Sequence, residues 1–253
     1  MYRPRVMPVL LLRNLGLVKS IQFKDHRYIG DPINAVKIFN DLKADELVFL
    51  DINASNEKRN IPLDFVRKVG NEANMPFSVG GGIRSIDNIR DILHSGAEKV
   101  IINTYAVENP EFIRLAADAF GSSTIVVCID VKRKLFTKEQ TWTNGGRKNS
   151  GFDPVSFAIK MQEMGAGELI IQSIDHDGTM AGYNFDLIKN VSQAVTIPVV
   201  ALGGAGNNIH LRQAVKEAYA SASAAGSLFV YHGPRHAVLI NFPTQIELSS
   251  LFQ

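Results

Sequence analysis

Several features are scarce in this sequence, and each scarcity excludes a class of protein. A single cysteine among 253 residues, Cys128, excludes a disulfide framework and a metal site built from several thiolates. The net charge is only +2 and the basic residues are scattered, so no nucleic-acid-binding surface is indicated. No apolar run approaches the length of a membrane span, and the apolar segment after the charged N-terminus is too short for a secretory signal. We therefore expect a cytoplasmic protein.

Short apolar runs alternate with amphipathic segments along the whole chain. Eight runs rich in β-branched residues predict strands at 5–12, 46–52, 77–79, 99–103, 124–130, 168–173, 199–202 and 221–225. Helical periodicity predicts helices at 31–42, 63–71, 86–95, 110–119, 153–164, 185–193 and 208–218. Such alternation is typical of parallel strands with crossover helices. Eight units in a chain of this length predict a closed (β/α)₈ barrel of the α/β class, as one domain over residues 1–253.

The two halves of the chain resemble each other at an offset near 120 residues. The run Val-Gly-Gly-Gly-Ile at 79–83 matches Leu-Gly-Gly-Ala-Gly at 202–206. With the same offset, Leu11 at the end of the first strand corresponds to Asp130 at the end of the fifth. A barrel that uses two opposed carboxylates for acid–base chemistry would have an acid at both positions, and here one of them is missing.

The glycine runs and the acids at strand ends are the candidate site residues. Glycines between a strand and a helix let backbone N–H groups approach a phosphate, although a tight turn is the simpler interpretation. Asp130 would point into the mouth of the barrel, where catalytic groups of this fold lie, or it could pair with Lys19 as a structural carboxylate. Other acids near strand ends could instead cap turns: Asp51, Asp175 and Asp177. His176 has no second histidine at ligand spacing, and neither a metal ion nor a cofactor is expected.

Four charged residues stand at the opposite, N-terminal ends of the first, second, fourth and sixth predicted strands. They are Arg5, Glu46, Lys99 and Glu168. In a barrel they would converge on the axis at the bottom, as two cations and two anions. The residues alone favour a stabilising layer of salt bridges, because features at this face of the fold usually serve stability.

Taken together, these motifs resemble the cyclase subunit of imidazole glycerol phosphate synthase, the HisF family. The likeness extends from about residue 5 to residue 232 and includes the runs at 47–52, 79–83, 102–110, 129–130 and 173–179. The resemblance implies a (β/α)₈ barrel that docks on a glutaminase subunit, HisH. Ammonia made by the glutaminase would pass through the barrel core to a substrate at the mouth.

The resemblance also implies a role for each matching residue. The four charges at the bottom, Arg5, Glu46, Lys99 and Glu168, match the family's gate for ammonia. The phosphate-binding positions match at Gly81, Gly82, Gly203 and Gly204, with Ser227 as a further donor. Polar residues expected at the mouth are Lys19, Asp51, Asn103, Asp175 and Asp177. The catalytic acid of the fifth strand matches at Asp130.

The positions at which the sequence departs from the family include residues expected to carry out the chemistry. Leu11 replaces the second catalytic aspartate, Gln172 replaces another polar residue, and Leu202 replaces a serine. Removing one acid–base group typically costs about 10²–10⁴-fold in rate. The segment from Phe229 to the C-terminus departs as well. These departures resemble a paralogous branch of HisF-like proteins, associated with glycosyl amidation in bacterial gene clusters for surface polysaccharide (O-antigen).

That branch implies an ammonia-channelling barrel that has lost its cyclase activity. The barrel and its HisH-type glutaminase would supply an ATP-dependent amidotransferase, which converts an acetamido group of a phosphorylated or nucleotide-linked sugar into an acetamidino group. Two alternatives remain. The chain is a true cyclase of histidine biosynthesis if Asp130 carries both proton roles or if Asp51 or Asp177 replaces the missing acid. It is a phosphate-binding scaffold if it has no role in ammonia transfer.

Overall fold

The computed structural model describes residues 3–133 and 138–253. The strands in these residues are β1 (Arg5–Arg13), β2 (Gly16–Ile21), β3 (Lys24–Gly30), β4 (Leu47–Asp51), β5 (Phe77–Gly80), β6 (Lys99–Ile102), β7 (Ile125–Arg133), β8 (Glu139–Thr143), β9 (Lys148–Asn149), β10 (Glu168–Ser173), β11 (Val199–Leu202), β12 (Ala222–Ala225), β13 (Tyr231–His232) and β14 (Ala237–Val238). The helices are α1 (Pro32–Asp41), α2 (Leu63–Glu72), α3 (Ile86–His94), α4 (Thr104–Glu108), α5 (Glu111–Phe120), α6 (Pro154–Glu163), α7 (Phe185–Ala194), α8 (Asn208–Lys216), α9 (Ser227–Val230) and α10 (Gln245–Phe252).

Eight of the strands are parallel and close into a barrel. Around the barrel they follow the order β1, β4, β5, β6, β7, β10, β11 and β12, and β12 pairs with β1 to complete the circle. Helices connect successive barrel strands and cover the outside, because a parallel connection needs a crossover. The predicted (β/α)₈ barrel is confirmed.

Alternation along each barrel strand divides its side chains between two apolar layers. On β1, Met7 and Val9 point into the barrel, whereas Val6, Leu10 and Leu12 pack against the surrounding helices. The interior layer is completed by Val48, Ile101, Val126, Cys128, Ile170, Val200, Leu202, Ala222 and Ala224. All of these side chains are buried, and burying one Val or Leu contributes about 1.5–3 kcal/mol. The barrel axis is therefore lined by apolar groups between its two ends.

Local side chains fix where the helices begin. Asp31, Ser85 and Asp153 each accept a hydrogen bond from a backbone N–H in the first turn of α1, α3 and α6, respectively. Such caps satisfy donors that have no partner within the helix. Among the described helices, none has both the length and the apolar character needed to cross a bilayer.

The predicted elements agree with the observed ones, with boundaries that differ by three residues at most. The sequence reasoning missed three hairpins, β2–β3, β8–β9 and β13–β14, and the helices α4, α9 and α10. β3 was missed because all but two of its residues are exposed and polar side chains dominate it, so it carries no apolar alternation. Two of these hairpins rise from the ends of β1 and β7 and partly cover the mouth of the barrel.

Candidate active site

A cavity of about 170 Å³ opens at the carboxyl ends of the barrel strands. Its wall is formed by the last residues of the strands and by the loops that follow them. This is the face at which enzymes with this fold carry out their chemistry. The cavity lies directly above the apolar interior layer, with which it shares Val9, Ile101, Cys128 and Leu202.

The wall of the cavity is divided into an apolar and a polar sector. Leu202, Ala225, Leu11 and Leu50 stand on the consecutive strands β11, β12, β1 and β4. The polar sector lies across the mouth and consists of Asn103, Asp130 and Gln172 at the ends of β6, β7 and β10. The strand register pairs Leu11 with Leu50 and Asp130 with Gln172, so equivalent positions of the two halves are apolar in one and polar in the other.

Asp130 is the buried acid of the polar sector. Its side chain is 7% exposed and, within residues 3–133 and 138–253, takes part in no ion pair. Burial raises the pKa of Asp130 to about 7, the negative charge of Asp177 adds to the rise, and the amide of Asn103 and the thiol of Cys128 oppose it. A carboxyl group with this pKa can both give and take a proton near neutral pH. The structural pairing with Lys19 considered from the sequence is not formed.

Asp177 belongs to a second polar group beside Asp130. Its carboxylate accepts hydrogen bonds from Ser20 Oγ at 2.9 Å and from Gln172 Nε2 at 3.3 Å. Lys19 is buried next to this group, where burial lowers the pKa of its ammonium and Asp177 partly offsets the effect. Lys19 and Asp177 both line the cavity, so a substrate beside Asp130 would meet a buried cation and a second carboxyl group.

Two other acids that the sequence placed at the mouth are occupied by local structure. Asp51 accepts a hydrogen bond from Arg59 Nη1 at 2.5 Å and also from the backbone N–H groups of Asn53 and Ala54. Asp175 lies outside the cavity wall, and its carboxylate accepts from the backbone N–H of Arg133 at 2.8 Å. Asp175 therefore lies at the carboxyl face of the barrel, as expected, with its side chain at the end of β7 and outside the cavity lining.

The glycine loops bring backbone groups to two opposite parts of the wall. Gly81 and Gly82 follow β5, and Gly203 and Gly204 follow β11; all four line the cavity. A Cβ at Gly82 would stand 1.8 Å from the carbonyl oxygen of Arg59, so no other residue fits this close approach. The first residues of two short helices, Thr104 of α4 and Ser227 of α9, line the same cavity after the strands next to β5 and β11. Two concave, backbone-lined surfaces of this kind suit phosphate groups.

The four charged residues at the other end of the barrel form a closed ring of ion pairs. Arg5 contacts Glu46 and Glu168 on one side. Lys99 closes the other side, with Nζ 2.9 Å from Glu168 and 3.4 Å from Glu46. Ser78 Oγ also donates to Glu46 at 2.6 Å. The glutamates are buried and the cations are partly exposed, so the ring separates the apolar interior from the outer face at the bottom.

Sequence reasoning missed the residues that partly cover the cavity. Phe23 and His26 come from the β2–β3 hairpin, and Gly145 and Arg147 come from the turn between β8 and β9. β3 and the β8–β9 turn are polar, and both hairpins fold back over the mouth, a path that no local periodicity indicates. Within the part of the chain that the structure describes, no group of three His, Cys, Asp or Glu side chains is arranged to hold a metal ion.

Comparison with known proteins assigns the chain to a family. Residues 5–234 match the model of the family described as histidine biosynthesis protein. A putative imidazole glycerol phosphate synthase subunit HisF from Leptospira borgpetersenii is 44% identical over the full length of both chains. The imidazole glycerol phosphate synthase subunit HisF of Alkaliphilus metalliredigens is 44% identical over 92% of both chains. A putative subunit named hisF2 from Pseudomonas aeruginosa is 41% identical over 96% of this chain and 97% of its own. The chain therefore belongs to the HisF family of histidine biosynthesis proteins.

Proposed function

We propose that this barrel is the ammonia-receiving subunit of a glutamine-dependent amidation complex. A HisH-type glutaminase would dock on the face that carries Arg5, Glu46, Lys99 and Glu168. Ammonia would travel along the barrel axis to a phosphate-bearing or sugar substrate in the cavity. The product we expect is an acetamidino sugar of a surface polysaccharide, made together with an ATP-dependent amidotransferase.

The observation that carries this proposal is the ring of ion pairs below an apolar interior. An apolar passage admits neutral ammonia and disfavours ammonium, because an unpaired charge loses its hydration there. The ring is electrically neutral, with two cations and two anions, and a small neutral molecule has to pass only between its members.

The apolar sector supports the loss of cyclase activity. Leu11 faces the cavity opposite Asp130, and a leucine can neither accept nor release a proton. Asp51 is held by Arg59 and by two backbone N–H groups, so it is committed elsewhere. The substrate would therefore meet acid–base groups on one side of the cavity only. An ATP-using partner enzyme could supply the chemistry that this barrel then lacks.

The alternative function is that of a cyclase in histidine biosynthesis, and the names of the relatives favour it. Under this alternative Asp130 and Asp177 would share the proton transfers. Asp177 lines the cavity, and its negative charge adds to the effect of burial in raising the pKa of Asp130, which is the observation in its favour. Both functions use ammonia and an anionic substrate, and they differ in whether the barrel itself closes the imidazole ring.

A direct assay distinguishes the two functions. The purified chain would be given the ribulosyl amidine substrate of the cyclase and excess ammonium salt, which removes the need for a glutaminase. Leu11→Asp would be assayed in parallel, with Asp130→Asn as the inactive reference. We expect no turnover by the native chain and a gain of activity in Leu11→Asp.

Turnover by the native chain near one per second, an ordinary enzyme rate, would contradict the proposal and establish the cyclase. The dependence of that turnover on Asp177 would then show how the missing acid is replaced. Absence of turnover in a folded native chain would direct the search to an amidotransferase partner.

A further inference from the structure

Three leucines of the apolar sector face the cavity at the mouth of the barrel. Leu11 and Leu50 are only partly buried, although both pack against the interior layer of the barrel. Leu202 belongs to that layer and also lines the cavity. Apolar surface in contact with water is unfavourable, so an apolar group of a ligand would be held against these side chains.

The strand order brings the leucines together around a shallow recess. Leu11 and Leu50 are register partners on the adjacent strands β1 and β4. β12 lies between Leu11 and Leu202, and its last two residues are alanines, Ala224 in the interior layer and Ala225 at the cavity. Because an alanine side chain is shorter than a leucine, the surface between Leu11 and Leu202 is recessed. The recess suits a small apolar group.

Hydrogen-bonding groups border this recess. Gln172 is the register partner of Leu202, so the polar sector begins one strand away. Its Nε2 donates to Asp177 at 3.3 Å, whereas within residues 3–133 and 138–253 no group donates to its Oε1. A Cβ at Gly226 would collide with Nζ of Lys19, so this amine lies at the end of β12. The border of the recess therefore offers both an acceptor and a donor.

A short N-acyl group has the matching chemistry. Its methyl end is apolar, its amide N–H needs an acceptor and its carbonyl oxygen needs a donor. A hydroxyl group in the same place would leave the leucines uncovered. An ammonium group would lose hydration beside them without an ion-pair partner in the recess.

We propose that Leu11, Leu50 and Leu202 bind the methyl group of an N-acetyl substituent on the substrate. The amide then lies at the border of the recess, with its N–H toward Gln172 and its carbonyl oxygen toward Lys19. The inference rests on the proposed function, because it assumes a phosphate-bearing sugar in the cavity. It adds a role for the leucine at position 11, which selects the substrate by its acyl group and takes no part in proton transfer.

Three derivatives of glucosamine 1-phosphate test this proposal on the full chain. They carry an N-formyl, an N-acetyl or an N-propionyl group, so they share the phosphate, the ring and the amide while the acyl chain grows by one carbon each time. Dissociation constants would be measured by calorimetry. We expect the N-acetyl compound to bind about fourfold more tightly than the N-formyl compound, which is the gain from burying one methyl group.

Two substitutions of Leu11 change the recess in different ways. Leu11→Asn keeps the number of heavy atoms but makes the side chain polar, and it should reduce the preference for the N-acetyl compound to less than about twofold. Binding of the N-formyl compound should change little. Leu11→Ala enlarges the recess and should raise the affinity for the N-propionyl compound relative to the N-acetyl compound, compared with the native chain.

Leu115→Asn is the matched control, because it makes the same change at a half-exposed leucine of α5 that does not line the cavity. It should keep the fourfold preference. A general loss of stability would weaken all three compounds alike, so the ratio of two dissociation constants reports the contact with the methyl group.

Equal binding of the N-formyl and N-acetyl compounds by the native chain would overturn the inference. The ring of ion pairs, on which the proposed function rests, would be unaffected by that result. A fourfold preference that persisted in Leu11→Asn would also overturn the inference, because the methyl group would then be bound elsewhere. Failure of all three compounds to bind would contradict a phosphate-bearing sugar in the cavity, and with it both proposals.

Discussion

At the scale of single residues, the buried carboxyl group of Asp130 is set apart from the other acids of the cavity by its environment. Asp51 is neutralised by Arg59, and Asp177 is hydrogen-bonded to Ser20 and Gln172. Asp130 has only weak compensation for the loss of water, from Asn103 and Cys128. Its pKa near neutrality therefore follows from burial. Such a group is useful for proton transfer and unfavourable for stability.

The destabilising effect of this buried carboxyl group can be measured from the pH dependence of unfolding. The folded-state pKa of Asp130, about 7, lies above the unfolded value of about 4, so the folded state binds more protons between these pH values. Stability from this group is consequently lost as the pH rises from about 4 to about 7. We expect Asp130→Asn to be more stable than the native chain by roughly 2–4 kcal/mol at pH 8, with little difference at pH 4. Urea unfolding at both pH values measures the difference.

The matched control for this experiment is Asp118→Asn, an exposed acid on α5. It should change stability little at either pH, because a solvated carboxylate has a similar environment in the folded and unfolded chain. A difference between Asp130→Asn and the native chain that does not vary with pH would contradict the assignment of a raised pKa to Asp130.

A second residue-scale prediction concerns the glycine loop after β5. Gly82 and Gly151 both have positive φ, +70° and +79°, but only Gly82 has backbone within reach of an added Cβ. Gly151→Ala should cost about 1 kcal/mol, the cost of a left-handed conformation for alanine. Gly82→Ala should cost at least about 2 kcal/mol more, because Arg59 and the loop around it must move. Chemical denaturation of the two variants measures how much the contact between the added Cβ and Arg59 costs. Equal losses of stability in both variants would show that the loop moves aside without cost.

At the scale of elements, the helix starts were visible in the sequence while the hairpins over the cavity were not. Asp31 and Asp153 precede amphipathic segments and are followed by Pro32 and Pro154, which is a clear signal for a helix N-terminus. Thr244 and Glu247 form a capping box at α10, so this missed helix did carry a signal. The β2–β3 hairpin carried no such signal in the sequence, since its position depends on contacts with the loop after β10.

The N-cap of α6 allows a clean test at this scale. Asp153 Oδ1 accepts from the backbone N–H of Ser156 at 2.9 Å. Asp153→Ala should lower the free energy of unfolding by about 1 kcal/mol, because that donor then has no partner in the helix. Asp153→Asn keeps an acceptor of equal capping strength and should stay close to the native value. If thermal unfolding showed the same loss of stability in both variants, the negative charge of Asp153 and not its capping hydrogen bond would be responsible for the effect.

At the scale of the whole molecule, the ring and the cavity lie at opposite ends of the apolar barrel interior. The proposed function requires that they work together, and Lys99 is the member of the ring with which this can be tested. Lys99→Glu places three glutamates beside Arg5 and should break the ring. We expect product formation with ammonium salt to be retained and product formation from glutamine to fall at least about tenfold, in the complete complex with its glutaminase.

Lys68→Glu serves as the control, because it makes the same charge reversal at an exposed position on the outside of α2. It should leave both nitrogen sources equally effective. If Lys99→Glu formed product from glutamine as fast as the native chain does, the passage of ammonia through the ring would be contradicted.

The barrel was predictable because one pattern is repeated along the chain, in which a short apolar run is followed by an amphipathic helical segment. The ring was also predictable, since its members stand at the N-terminal ends of four barrel strands, the first, second, fourth and sixth, and these ends meet at one face. The division of the cavity into two sectors depends on which strand ends face each other, and only the closed register brings Leu202 close to Leu11. The orientation of Asp175 depends on how the loop after β10 turns, which no spacing in the sequence specifies.

The burial of Cys128 has one more consequence, which concerns experiments on the native protein. Since it is the only cysteine of the sequence and is 6% exposed within the barrel wall, a thiol reagent has no competing target on the surface. Because Cys128 also lines the cavity, its reaction rate would report how often the mouth and the barrel interior open to a reagent, as hydrogen exchange does for an amide. The native chain therefore contains its own reporter of barrel opening, and a ligand that closes the mouth should slow that reaction without any substitution.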